Sequence, residues 1–156
     1  MGLYEATVSW RLADGDDFLG NRFSRRHEVS FDGGETYLAS PSPQVVAEPM
    51  ADPAGVDPEE ALIAAISSCH MLYFLAFAAK KGFAIDYYVD NAVGEMTKRE
   101  DGKSWMSRIT LRPDVKFSGD KLPSAEDIDA LHHSAHDYCI IGNSLKSEVV
   151  VEHQQG

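Results

Sequence analysis

Along this chain of 156 residues the apolar positions keep two rhythms, a period of two and one long, nearly unbroken run. Leu3, Glu5, Thr7, Ser9 and Arg11 alternate with Tyr4, Ala6, Val8 and Trp10. That predicts a strand over 3–11 with Tyr4, Ala6, Val8 and Trp10 facing inward. Ala13–Asn21 is turn-like, with Asp14-Gly15 near its start and Gly20 near its end. His27, Val29 and Phe31 alternate with Glu28 and Ser30 as a second strand. Asp32-Gly33-Gly34 is a hairpin signal, and Glu35–Ala39 returns as a third strand. Across 41–56 the prolines Pro41, Pro43, Pro49 and Pro53 exclude a continuous helix or a central strand. A loop of about sixteen residues inside a compact domain is usually functional or packed on a partner.

The long apolar run is Asp57–Gly82, DPEEALIAAISSCHMLYFLAFAAKKG. Asp57 and Glu60 have capping-box spacing, and Pro58 sits where a missing N–H costs nothing. Glu59 and Glu60 meet the positive end of the helix dipole. Lys80 and Lys81 meet the negative end, and Gly82 stops the helix. The run predicts a helix of about seven turns, apolar nearly all round, with Cys69 and His70 near its middle. It is about long enough to cross a bilayer. With Ser67, Ser68, Cys69 and His70 at its centre and strands around it, a helix packed inside protein is expected instead.

Two further strands are expected after Gly82. Ile85, Tyr87, Val89 and Val93 share a face of one. Trp105, Ile109, Leu111, Val115 and Phe117 share a face of the other, which Pro113 interrupts. Lys98–Lys103 is the turn between them. Ser124 is a good N-cap for a second helix, with Glu126 and Asp127 in its first turn. Ile128, Leu131, Ala135 and Tyr138/Cys139 follow at helical spacing, and Gly142-Asn143 closes it. Leu145–His153 reads as a last strand and Gln154–Gly156 as a tail. The expected order is βββ-α-ββ-α-β, one α+β domain over 1–156 with mostly antiparallel strands. One sheet face cannot cover a helix that is apolar all round. The second helix with the loop, or a second copy of the chain, must cover its other side.

Composition is ordinary for a globular protein, with 44% hydrophobic and 25% charged residues. The net charge of −11, from 25 acids against 14 bases, argues against nucleic acid or an anionic membrane as partner. The opening MGLYEATVSW lacks a basic start followed by an apolar run, so no signal peptide is expected and a cytoplasmic location is. Two cysteines do not make a disulfide scaffold.

Three constellations can carry chemistry. A thiol reacts as its thiolate and needs positive charge or hydrogen-bond donors nearby. Cys69 and Cys139 are the candidates, and Arg22, Arg25 and Arg26 are the best cationic supply. His132, His136 and Cys139 share a helix face and, with Cys69, could supply four zinc-type ligands. No CxxC or HExxH supports this, and no metal or cofactor is expected. Ser67 or Ser68 could serve hydrolysis, but no nucleophile-elbow sequence is present, and no glycine-rich loop suggests a nucleotide.

At these residues the chain resembles the OsmC/Ohr family of thiol-dependent peroxidases over nearly its whole length. Asp57-Pro58-Glu59-Glu60, with Cys69 ten residues after Glu59, is similar to the family's central helix. Ala135-His136-Asp137-Tyr138-Cys139, with Asn143-Ser144 and a Val-rich strand, is similar to its second-cysteine segment. Ser24-Arg25-Arg26-His27 resembles the segment carrying its active-site arginine. The resemblance implies that Cys69 attacks an organic hydroperoxide and becomes a sulfenic acid. Cys139 would resolve it as an intramolecular disulfide, and a dithiol, lipoyl-type or other, would reduce that. Arg25 would stabilise the thiolate, and Glu59 would orient Arg25. Ile140-Ile141 after the second cysteine, and His70-Met71-Leu72-Tyr73 after the first, depart from the best-known branch and place the chain among OsmC-like relatives.

Glu59 and Cys69 stand about 15 Å apart along one helix. Two helices packed antiparallel would bring Glu59 of one chain near Cys69 of another, so an intertwined homodimer is expected. Tyr73, Phe74, Phe77 and the Pro-rich loop are candidate apolar lining. A different class, a dimeric ligand-binding or redox-sensing protein with negligible turnover, would use the same cysteines.

Overall fold

The structure is a computed structural model in which residues 2–153 are described; the tail expected at 154–156 lies outside them. Its elements are β1 (Ala6–Ser9), β2 (His27–Phe31), β3 (Thr36–Ala39), α1 (Pro58–Lys81), β4 (Ala84–Asp90), β5 (Val93–Lys98), β6 (Ser104–Leu111), β7 (Pro113–Ser118), α2 (Ala125–Tyr138), α3 (Ile140–Asn143) and β8 (Glu148–Val151). The architecture is α+β with antiparallel sheets, but the order βββ-α-ββ-α-β is corrected to βββ-α-ββββ-αα-β. Each long strand read after Gly82 is two strands. The first breaks at 91–92 and the second at Arg112, ahead of Pro113, whose missing N–H suits the start of a strand and not its middle. The four pieces nest as one interrupted hairpin, β5 with β6 beside the turn and β4 with β7 beyond the breaks.

The chain divides into two compact units, Met1–Ala61 and Leu62–Gly156. The first holds the antiparallel sheet β1-β2-β3, in which Val8 pairs Val29 and Val29 pairs Tyr37. The strand expected over 3–11 shortens to Ala6–Ser9, and Tyr4, Val8 and Trp10, expected inward, are exposed. β1 is an edge strand, and Val8 and Trp10 line an open cavity in place of a packed core. The proline-rich loop is tied at both ends. Ser40 N–H donates to Val56 O (3.1 Å), Val56 N–H to Leu38 O (3.0 Å), and Asp52 N–H to Ser40 Oγ (2.7 Å). The loop leads into the capping box of α1, where Glu60 N–H donates to Asp57 Oδ1 (2.7 Å) and Asp57 N–H to Glu60 Oε2 (3.1 Å).

The second unit carries the rest of α1, the pair β4-β7 and the sheet β5-β6-β8, in which β8 runs parallel to β6. Ile66, His70, Phe74 and Ala78, one residue per turn, form the buried stripe of α1. Ala65, Ser68, Leu72, Ala76 and Ala79 on the opposite side are exposed. Gly82 ends the helix with φ +80°, a conformation that costs other residues more. Phe74, Ala78, Phe83, Leu131 and Ala135 make one buried cluster, joined by Ile85, Tyr88, Val115 and Phe117. Ile66, Ile109, Leu111 and Cys139 make the other. A register shift between Ile85 and Tyr87 turns Tyr88 inward beside Ile85 and leaves Tyr87 and Val89 exposed. The face expected from strict alternation is therefore broken, because one extra residue inverts the side chains beyond it. Ser124 caps α2 through a capping box with Asp127. That helix stops at Cys139, and α3 follows where Gly142-Asn143 was expected only to close the helix.

Candidate active site

Cys139 occupies the joint between two helices. It is the C-cap of α2 and the N-cap of α3, with an extended backbone (φ −62°, ψ 107°) that breaks the helical path. Its side chain is 1% exposed and packs with Ile66, Ile109 and Leu111. Cys69, half-buried on α1, packs against the same cluster. Both thiols are free, and the two side chains are neighbours. Burial pushes the Cys139 thiol up to about 11. The Gly142 N–H, donating to Sγ at 3.4 Å, acts against that, while the neighbouring Cys69 adds to it.

The first unit contains a cavity of about 410 Å³ lined by Val8, Trp10, Phe23, Val45, Arg25 and Glu59, among others. It is an apolar chamber with two charged groups, the usual make-up of a small-molecule site. The three arginines of the segment separate cleanly. Arg22 pairs with Asp17, and Arg26 pairs with Asp52 at 3.3 Å. Arg25 has no carboxylate partner among the described residues. Its guanidinium donates to Asn21 Oδ1 (2.6 Å) and Phe23 O (3.0 Å) and lies 4.0 Å over the Phe23 ring. Arg25 N–H donates to Met50 O (2.9 Å), which ties this segment to the proline-rich loop. Glu59 lines the same cavity, but no ion pair joins it to Arg25 among the described residues.

The remaining candidates fall differently. Phe74 is fully buried in the core, with Tyr73 and Phe77 packed against it, so these rings build the interior and do not line this cavity. Pro41, Ser42 and Val45 of the loop do line it, with Pro58 at the start of α1. Trp10, Phe18 and Phe23 were missed as lining. Their rings contact one another at 4.8–5.9 Å, and Trp10 Nε1–H donates to Ser24 O at 2.9 Å. Three aromatic residues flanking an arginine segment were the available signal. No group of three or more His, Cys, Asp or Glu is arranged to hold a metal among the described residues. His132 instead meets His70, Nδ1 to Nε2 at 3.1 Å, and both rings are buried. Ser67 Oγ donates to Asp90, whose other oxygen accepts from Arg112 N–H at 2.6 Å, a structural tie with no histidine in it.

The family model for OsmC-like proteins matches residues 51–154. An OsmC-like protein of unknown function from Vibrio cholerae O1 biovar eltor is 46% identical, with 99% of this chain and 100% of that one covered, at a TM-score of 0.96. An organic hydroperoxide resistance protein from Elizabethkingia anophelis shares the fold at 15% identity, 98% and 94% coverage and TM-score 0.69. The organic hydroperoxide resistance protein OhrB of Bacillus subtilis does so at 20% identity, 98% and 100% coverage and TM-score 0.64. A search of curated proteins finds no match.

Proposed function

The chain belongs to the OsmC-like family, and from that premise we propose that it is a cysteine-based peroxidase reducing organic hydroperoxides. The observation that carries this reading is the contact between the Cys69 and Cys139 thiols. The two sulfurs are not equivalent. Cys139 is buried and holds its proton; Cys69 is the more accessible of the two and is the one a peroxide can reach. In the proposed cycle Cys69 thiolate attacks the terminal oxygen of the hydroperoxide. The O–O bond breaks, the alkoxide takes a proton and leaves as an alcohol, and Cys69 becomes a sulfenic acid. Cys139 sulfur then attacks Cys69 sulfur, water leaves with the thiol proton, and a disulfide forms. A dithiol of lipoyl or other type returns both cysteines to thiols. The hydroperoxide resistance proteins of the same fold lend the substrate class.

Arg25 and Glu59 are proposed to bind and polarise the peroxide, with the apolar cavity taking its organic part. Glu59 stands about 15 Å from Cys69 along α1, so a second protomer is proposed to complete each site. Its α1, packed antiparallel on the exposed face of Ala65, Ser68, Leu72 and Ala76, would set Arg25 and Glu59 of one protomer beside Cys69 of the other. The dimer is proposed to work in the cytoplasm without a bound cofactor.

Peroxide consumption with a dithiol reductant tests the reading. Wild type should turn over a fatty or aromatic hydroperoxide at least about a hundredfold faster than Cys69→Ser, in keeping with the loss of an essential nucleophile. Equal rates would overturn it in favour of a ligand-binding or redox-sensing protein.

A further inference from the structure

Between the two apolar clusters of the second unit lies one polar contact. His70 continues the stripe from Ile66 to Phe74 on α1, and His132 lies between Ile128 and Ala135 on α2. Both rings are buried, 1% and 4% exposed. His70 Nε2 meets His132 Nδ1 at 3.1 Å with the rings within 10° of one plane, good geometry for an N–H···N bond. The His132 ring is held between Phe74 (4.3 Å) and His153 (4.4 Å), which leaves its in-plane nitrogens for bonding. Two neutral imidazoles share one proton between those nitrogens. Burial, and then His136 and His153, lower His70 to about 4; burial, and then His153 and His70, lower His132 to about 3. The pair is therefore neutral at physiological pH. His153 in turn donates from Nε2 to Asp129 Oδ1 at 3.0 Å.

We propose that His70 and His132 are a positioning pair whose hydrogen bond sets the register of α2 against α1 and so holds Cys139 against Cys69. Apolar contact is non-directional and tolerates repacking. Phe74, Ala78, Leu131 and Ala135 on one side, with Ile66 and Cys139 on the other, do not by themselves choose one register. The imidazole pair does, because any slip of α2 leaves two buried rings without a partner. Cys69 directly precedes His70, and Cys139 follows His132 by seven residues, about two helical turns on the same face. One directional bond thus fixes the second contact. The importance of the pair for turnover rests on the peroxidase reading, but the thiol equilibrium does not.

The test is the equilibrium of the Cys69–Cys139 dithiol with glutathione disulfide, in which two electrons and two protons pass to glutathione and one protein disulfide forms. His70→Leu with His132→Leu removes both polar partners together, the change least apt to leave an unpaired group. His70→Gln with His132→Asn puts amides where Nε2 and Nδ1 stand. The leucine pair should lower the disulfide equilibrium constant tenfold or more, about 30 mV, and the amide pair should restore it to within about threefold. A folded leucine pair with the wild-type constant overturns the proposal. If the leucine pair does not fold, imidazole nitrogen shifts in wild type decide. The His70–His132 bond should be present in both dithiol and disulfide forms, and its loss in either overturns the proposal. A wild type with no peroxide turnover would sink the functional reading and leave this equilibrium as it is.

Discussion

Acid should weaken this fold through His70 and His132 before most carboxylates titrate. In the unfolded chain an imidazole takes a proton near 6.5. In the folded chain His70 does so only near 4 and His132 only near 3, chiefly because both are buried. Between those values and 6.5 the unfolded state binds more protons, so stability falls as pH falls and levels off below the folded values. From pH 7 to pH 5 each ring costs about 2 kcal/mol, or about 4 kcal/mol together. For a chain of this size that is a drop in Tm of about 8–16 °C. The assay is thermal or urea unfolding at pH 7 and pH 5, at one protein concentration, with wild type and the His70→Leu/His132→Leu variant side by side. The difference between the two profiles isolates the pair from every other titrating group. Wild type and variant losing the same stability between pH 7 and pH 5 would refute the reasoning.

Three other changes probe different parts of the molecule. Cys139→Ser should release about one equivalent of alcohol per protomer and then stop, leaving a Cys69 sulfenic acid for a nucleophilic trap; sustained turnover would remove Cys139 from the cycle. Leu72→Glu puts a charge in the exposed apolar stripe of α1, and light scattering should show a dimer giving way to monomer; an unchanged mass would locate the interface elsewhere. Gly94→Ala places a methyl inside contact distance of Met106 and Ile63. Since both neighbours are flexible at their ends, the cost should be about 1–3 kcal/mol by urea unfolding, and a neutral result would mean that the site relaxes freely.

The helices were legible because their signals are local. The Asp57/Glu60 and Ser124 caps and the Gly82 stop act within one turn of themselves; the Asp57/Glu60 box forms as read, and Ser124 caps α2 as read, with a box to Asp127 besides. The order of the sheet was less legible. Pro113 marked a break, but only pairing shows that both long strands divide, with β4 and β7 forming a ladder apart from the sheet β5-β6-β8. Alternation in β4 failed at a bulge, which depends on how β7 lies beside it and not on the residues of β4.

For the candidate site the sequence by itself determined the chemical types: two thiols, three clustered arginines and a glutamate at a helix start. Tertiary structure decided their company. It occupied Arg22 and Arg26 with aspartates and left Arg25 facing an aromatic cavity. It also set Cys139 in contact with Cys69, seventy residues earlier in the chain, and gave His132, read with His136 and Cys139 as a candidate metal ligand, a buried hydrogen bond to His70 instead. The physical reason is one of range. Caps, dipoles and turns are settled between near neighbours, whereas thiol pairing, desolvation and imidazole contacts arise only where distant segments exclude water together.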